Sequence, residues 1–595
     1  MPANHTKNKM KKLLTIIGLA AASLAGVNAQ TDYFWNGANT SASPANGGTG
    51  TWNATNSWRT VTNTGSQAQW NAGSLTHNAF LQGSAGTVTL GTSGSTNFQG
   101  TNMTVSTTGY TVTSTSASRD LVFSGTLNLA ASVALTFDMN NTDAIWSFGS
   151  ISFGTGSSLR LAGIATANNA NRFNLTSNGT ISGGSISLNG TAAGPTGFAS
   201  TVSVASGGAT LNTNITNDSL TSATVLGATS GNQLNFGGVL GGSAHLQVSA
   251  GQSGGAGIVV FNNVSNYTGD TYLNSASNAV HRIGVDNALP SGTTVFFSQS
   301  AGGGTIDTGG GSFDLNGQDL AIGGLQGGNS TRGVGNNTPT LSTLTIGKAS
   351  GSNTFNGTIG LVGNSNMLTQ TDNIAVVKSG ASSQTFTANN TYSGGTTISA
   401  GTLLLTGAGT IGSGNLTLGG GTFNIAGITP ASYALSGSQS VTGSGTIVGA
   451  AGKTLAIAGT LAPGNSPGTI TLDTVAVTLS GTTTFEFTNP SFGVGTFDLV
   501  QGTAGGGVES IAFGGILNLN FSGGSYDDDD FVKIFDVGSY SGTFSAVNFS
   551  GLDVGQSATF NAANGIVTVV PEPGTWALIG MGSAFLLWRK RRRMA

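Results

Sequence analysis

The chain has 595 residues, of which 97 are glycine and none is cysteine, with 7% charged residues and a formal net charge of −3. Without cysteine there is no disulfide and no thiolate metal site, so stability rests on packing and backbone hydrogen bonding. The two ends hold nine of the 19 Lys and Arg but only one of the 22 acids, so residues 30–570 carry 10 − 21 = −11 and offer no basic face to a nucleic acid.

The first segment, "KNKMKKLLTIIGLAAASLAGVNAQ", places Lys7, Lys9, Lys11 and Lys12 ahead of an apolar run that ends in Val27-Asn28-Ala29. A basic flank, a short apolar stretch and small residues at its end read as a secretory signal peptide over 1–29. Cleavage is expected between Ala29 and Gln30, with signal peptidase and the general secretion machinery as partners.

Residues 30–100 open with clustered aromatics: Tyr33, Phe34, Trp35, Trp52, Trp58 and Trp70. They are expected to form an N-terminal cap over the first open coil, the alternative being an indole platform for sugar rings.

From 101 to 510 the apolar residues recur in short alternating runs such as "TLNLAASVALTFDM" (126–139) and "GTLLLTG" (401–407), bounded by Gly, Asn or Ser. Such runs are the mark of strands and turns, and helical periodicity is missing. The segments also repeat. Phe236 aligns with Phe355 and Tyr267 with Tyr392, at spacings of 119 and 125 that differ by loop insertions. A stack of independent coils tolerates such insertions better than a closed propeller. The expected fold is therefore all-β, a right-handed parallel β-helix (β-solenoid). At roughly 20–25 residues per coil it would make on the order of 20 coils, in a rod about 100 Å long.

The segment "VVKSGASSQTFTANNTYSGGTTISAGTLLL" (376–405) resembles the autotransporter-associated β-strand repeat of bacterial passenger domains, most distinctly at Asn390 to Thr396 and Ala400 to Leu403. Asn266-Tyr267-Thr268-Gly269 is a weaker copy, and "FDLNGQDLAIGGLQGG" (313–328) and "GTLAPGNSPGTITL" (459–472) extend the resemblance. The resemblance implies a passenger-type solenoid. A self-sufficient autotransporter would end in a translocator barrel, whereas this sequence ends in Arg-Arg-Arg-Met-Ala, so export by other machinery is expected.

Residues 511–569 read as a C-terminal β region or cap. They contain the one acidic run, Asp527 to Asp530, which offers Ca²⁺ the oxygen ligands it takes but lacks EF-hand spacing, so a solvated turn is the expected reading and calcium the alternative.

The last segment, 570–595, is "VPEPGTWALIGMGSAFLLWRKRRRMA". Its apolar stretch from Gly574 to Trp588 would reach ~22 Å as a helix, a short transmembrane span extended by snorkelling cations and interfacial tryptophans. Arg589, Lys590, Arg591, Arg592 and Arg593 would remain cytoplasmic, leaving the body outside. Pro571, Glu572 and Pro573, the apolar stretch and the basic end together resemble a PEP-CTERM sorting signal. That resemblance implies recognition and processing by a membrane-embedded exosortase, in Gram-negative bacteria that also make extracellular polysaccharide.

Parallel β-helices also host polysaccharide-cleaving enzymes, whose sites need clustered carboxylates. Here Glu486 and Glu509 are the only glutamates of the body, Asp314 and Asp319 fit turn or cap roles, and His77, His245 and His281 lack metal-ligand spacing. No catalytic, cofactor or metal constellation is found. The expected function is that of a non-enzymatic, exported surface or extracellular-matrix protein, associated with exopolysaccharide or biofilm and held at the inner membrane transiently or permanently. An adhesin or a polysaccharide-active β-helix enzyme is the alternative.

Overall fold

The computed structural model describes residues 30–571 apart from short interior stretches such as 92–96, 193–199 and 298–310. The expected signal peptide up to Ala29 and the tail from Glu572 onward, with its expected transmembrane helix and basic cluster, lie outside the described residues. Every regular element among the described residues is a strand, and none of them forms a helix long and apolar enough to cross a membrane. By its contacts the chain divides into two compact units, Met1–Thr224 and Val225–Ala595, a division that the sequence reading did not draw.

In the first unit, strand Thr31–Trp35 pairs antiparallel with Trp58–Thr60, which pairs antiparallel with Gln67–Ala68. Beyond this start the pairing becomes parallel, from His77–Leu81 through Met103–Val105, Leu121–Leu129, Ile145–Phe153 and Asn171–Leu175 to Ser200–Val204. A second parallel ladder runs from Thr87–Leu90 through Tyr110–Ser114, Ala134–Asn140 and Ser158–Ala165 to Thr180–Leu188. Each step advances about one coil: Leu121 pairs with Trp146, and 146 − 121 = 25. Aromatic rings stack along the inside, Phe123 on Phe148 at 5.5 Å and Phe148 on Phe173 at 5.7 Å.

The second unit shows most plainly why alternating sequence gives this architecture. Leu403, Phe423, Ile447 and Leu472 are successive register partners, and all are buried. The residue before each of them, Thr402, Thr422, Thr446 and Thr471, forms the adjoining outward column. Side chains alternate across a strand, so one column is desolvated while its neighbour keeps its hydroxyls toward water. Fully burying each Leu, Ile or Phe contributes about 1.5–3 kcal/mol. Steps here range from 19 residues (Gln384 to Leu403) to 35 (Val500 to Phe535), wider than the expected 20–25 because insertions fall in the turns. A separate parallel ladder of five strands, Ser432–Leu435 through Ser539–Gly542, supplies another face. Between strands the chain turns on glycine where a side chain has no room. Gly401 takes φ +65°, and a Cβ there would stand 2.4 Å from the carbonyl oxygens of Gly380 and Ser382.

The aligned landmarks occupy equivalent places. Phe236 is the register partner of Phe261, and Phe355 of Phe386. Six residues beyond, the Tyr267 hydroxyl meets the Thr271 hydroxyl at 2.5 Å, and the Tyr392 hydroxyl meets that of Thr396 at 2.7 Å. Both tyrosines are buried, and burial pushes both phenols up.

Candidate functional site

The second unit closes in a small antiparallel sheet, and this sheet carries the start of the sorting segment. Strand Ile566–Pro571 lies between Phe531–Lys533 and Gln556–Asn561, pairing antiparallel with both. Its alternation sends Val567 and Val569 inward, at 1% and 0% exposure, and leaves Ile566, Thr568 and Val570 on the outer side. Val569 is fixed on the Asp530 side by two backbone bonds: its N–H donates to Asp530 O (2.8 Å), and Asp529 N–H donates to its carbonyl (2.9 Å). On the other side the register partners are Ser557 with Val570 and Gln556 with Pro571. Pro571 has no N–H to extend the ladder and stands exposed at the strand's end. Of the expected sorting motif, therefore, Pro571 is seen and belongs to the fold, whereas Glu572, Pro573 and the basic run Arg589 to Arg593 fall outside the described residues. At the opposite terminus, Gln30 is seen and accepts from Asn78 Nδ2 at 3.1 Å, while Ala29 is outside.

Two turns flank Pro571. In the acidic run, Asp530 Oδ2 accepts from the N–H of Asp527 (2.9 Å), and Asp529 takes φ +69°. Gln556 ties this run to the turn Asp553–Gln556, its Nε2 donating to Tyr526 O (2.7 Å) and Asp528 Oδ1 (2.9 Å). These contacts are those of a self-capped turn. Among the described residues, no group of three or more His, Asp or Glu comes together as a metal site would require, at the acidic run or elsewhere.

The remaining sequence candidates are dispersed. Asp314 is wholly buried, pairs with Arg282 Nε at 2.8 Å and accepts from the N–H groups of Asn316 and Asn337, so its turn role is joined by an ion pair. Asp319 caps the neighbouring strand, accepting from Thr343 N–H at 2.6 Å. His77 packs at a tilt against Tyr33 (4.6 Å) and edge-to-face against Trp70 (5.5 Å), and His245 packs edge-to-face against Tyr272 (5.3 Å). His281 is fully buried rather than at the surface, and burial pushes it down to about 4, so it is neutral at pH 7. Glu509 is buried and accepts from the Thr503 hydroxyl at 3.0 Å. The N-terminal tryptophans turn inward: Trp35, Trp52 and Trp58 are 0% exposed and Trp70 3%, so none of these indole faces is open to a sugar.

Among the buried charges that the sequence did not single out are Asp498 and Lys378. Asp498 is 1% exposed and binds Gly468 N–H (2.7 Å) and Glu486 N–H (2.9 Å), one on each oxygen. Burial pushes its carboxyl up to about 6, and the charge of Glu486 adds to that. Lys378 is 1% exposed, donating to the carbonyls of Ser379 (2.6 Å), Gly380 (2.9 Å) and Ala400 (3.3 Å), with burial pushing it down to about 8. Its position was legible: Ile374, Val376 and Lys378 share the inward parity of one strand. Asp498 carries no comparable sequence signal. Both groups hold turns, since their partners are main-chain atoms.

Two comparisons with known families agree with this anatomy. Residues 376–405 match the passenger-associated-transport-repeat, and Lys378, Tyr392 and Gly401 lie within that match. Residues 569–593 match the PEP-CTERM protein-sorting motif, a match that begins inside the strand Ile566–Pro571. No curated protein matches the chain.

Proposed function

We propose that this chain is a non-enzymatic surface or extracellular-matrix protein, a right-handed parallel β-helix exported by the general secretory route and sorted through its tail by an exosortase-type enzyme. The PEP-CTERM motif and the passenger repeat support export and sorting at the cell envelope. The observation that carries the reading is the continuity of that motif with the last folded strand, which makes the tail an appendage of a finished body. Association with exopolysaccharide or biofilm is the role that columns of outward threonines suit, because hydroxyls exchange hydrogen bonds with sugars and water alike. In this reading 1–29 is the signal peptide, 30–100 the cap with the first coils, 101–510 the solenoid, 511–569 the closing β region and 570–595 the sorting signal with a membrane-spanning helix.

The test is the mass of the C-terminal peptide recovered from surface and membrane fractions of the native host. A surface form that ends close to Pro571 and lacks Arg589 to Arg593 is expected. An intact terminus in every fraction would replace sorting by simple tail anchoring.

A further inference from the structure

The sorting tail leaves the folded body without a spacer. Only Glu572 and Pro573 separate Pro571 from the apolar stretch that begins at Gly574. Three residue steps, even fully extended, span about 10 Å. Up to Val569 the strand is bonded on both edges, so an enzyme that grips an extended substrate has no free edge to take before Val570. Whatever reads Pro571 onward therefore works against the rim of the closing sheet.

That rim is built and carries apolar groups where polar ones are the rule. Val554 occupies the tip of the turn Asp553–Gln556, fully exposed, beside Gly555 at φ +93°. Turn tips favour Gly, Asn, Asp and Ser, and Val gains nothing there from packing. Gln556, which closes this turn, is the register partner of Pro571, so Val554 lies next to the exit of the tail. Phe531 is 68% exposed on the neighbouring strand, paired with Thr568 on the same outer face as Val570.

Resting on the sorting reading above, we infer that the outer rim of the closing sheet, Val554 and Phe531 with Val570 beside Pro571, is a docking surface for the membrane-embedded processing enzyme. The enzyme binds the folded end of the body as well as the tail. The tail's short reach selects this occupant, because in the sorting reading the apolar stretch sits in the membrane, and the protein that reads the motif must then work within about 10 Å of the rim.

The test uses the full chain in its native host, with a photo-crosslinking residue at position 554, at 531, or at Leu341, another exposed apolar position (54%) in the same unit. Probes at 554 and 531 should crosslink to the enzyme whose deletion leaves the tail uncut, and the probe at 341 should not. The double variant Val554→Asp/Phe531→Ser should slow tail removal by about tenfold, the size of one lost interface anchor, while its urea midpoint stays that of the parent. If the tail is removed normally, with no crosslink at either position and an unchanged rate in the double variant, the docking surface is overturned and the sorting reading stands. If the unaltered chain keeps its tail in every fraction, it is the sorting reading that falls.

Discussion

Within residues 31–81 four tryptophans close the core, whereas within residues 513–560 four phenylalanines do, and the two closures leave different things undone. Trp35 and Trp58 donate their indole N–H groups to Gly48 O (2.8 Å) and Trp52 O (2.6 Å). Trp52 Nε1, Trp70 Nε1 and both ring nitrogens of His77 have no such partner. The N-terminal cluster is thus buried but short of hydrogen bonds, each orphan costing about 1–3 kcal/mol. At the other closure Phe513, Phe535, Phe544 and Phe560 pack ring to ring at 5.0–6.4 Å and carry no polar atoms to satisfy. Its shortfall is coverage: Phe549, the register partner of the buried Leu519, is still 39% exposed. The lesson is that a parallel stack can be ended by large rings that fold back over it, or by a small sheet that leaves part of the last coil accessible.

Truncating rings tests this contrast most severely. Trp58→Ala should cost about 3–5 kcal/mol, the range for a fully buried indole, read from urea unfolding of the first unit. Phe560→Ala should cost less than half of that, because its ring is only half-buried. Equal losses would erase the distinction between the two closures.

Asp498→Ala comes next, at about 1–3 kcal/mol, since it strands the N–H groups of Gly468 and Glu486 in the interior. Asp498→Asn keeps one acceptor oxygen and should recover part of the loss. An Asn variant no more stable than the Ala variant would mean that the carboxylate's charge, not its acceptor geometry, holds the turn.

Acid should act with opposite sign on His77, inside the N-terminal closure, and on Asp498, ahead of the C-terminal one. Burial pushes His77 below the ordinary histidine value of 6.5, so its contribution is present above that pH and lost as pH falls. Burial pushes Asp498 from 3.8 up to about 6, so its contribution is present below 3.8 and lost as pH rises through about 6. His281 also disfavours acid, so each group is isolated by comparing parent and variant urea midpoints at pH 7 and pH 5. The parent should lose ground to His77→Phe on acidification and gain ground on Asp498→Asn. A shift of the same sign in both comparisons would refute the assignment.

What the sequence made legible is what depends on period and on local turns. Alternation alone places Thr402 outward and Leu403 inward, and the spacing of Tyr267 and Tyr392 carries through to the same tyrosine–threonine bond in both copies. The inward tryptophans follow from the need to cover a first coil. What stayed hidden depends on inter-coil register, which loop insertions set. Arg282 meets Asp314 across 314 − 282 = 32 residues, and Asp498 reaches Gly468 across 30, pairings that no local pattern announces. The sorting tail was readable as a motif, but its fusion to a central strand was not, because Val567 and Val569 look like any alternating pair until their neighbours are known.

The smallest expected effect lies beside the docking rim and sharpens its meaning. Lys533 Nζ stands 2.5 Å from Asp536 Oδ1, with side chains 42% and 61% exposed. Exposed ion pairs of this kind contribute about 0.2–1 kcal/mol and weaken with salt, because water screens the charges and both side chains give up rotamer freedom. Lys533→Ala should therefore lower stability by less than about 1 kcal/mol, with the difference shrinking in high salt. Lys533 shares its strand with Phe531 and, by alternation, its outer face. If Lys533→Ala slows tail removal as strongly as the Val554→Asp/Phe531→Ser variant while leaving the urea midpoint in place, the rim is read by charge as well as by apolar contact. If tail removal is unchanged, recognition is confined to the apolar groups nearest Pro571, as the short reach of the tail requires.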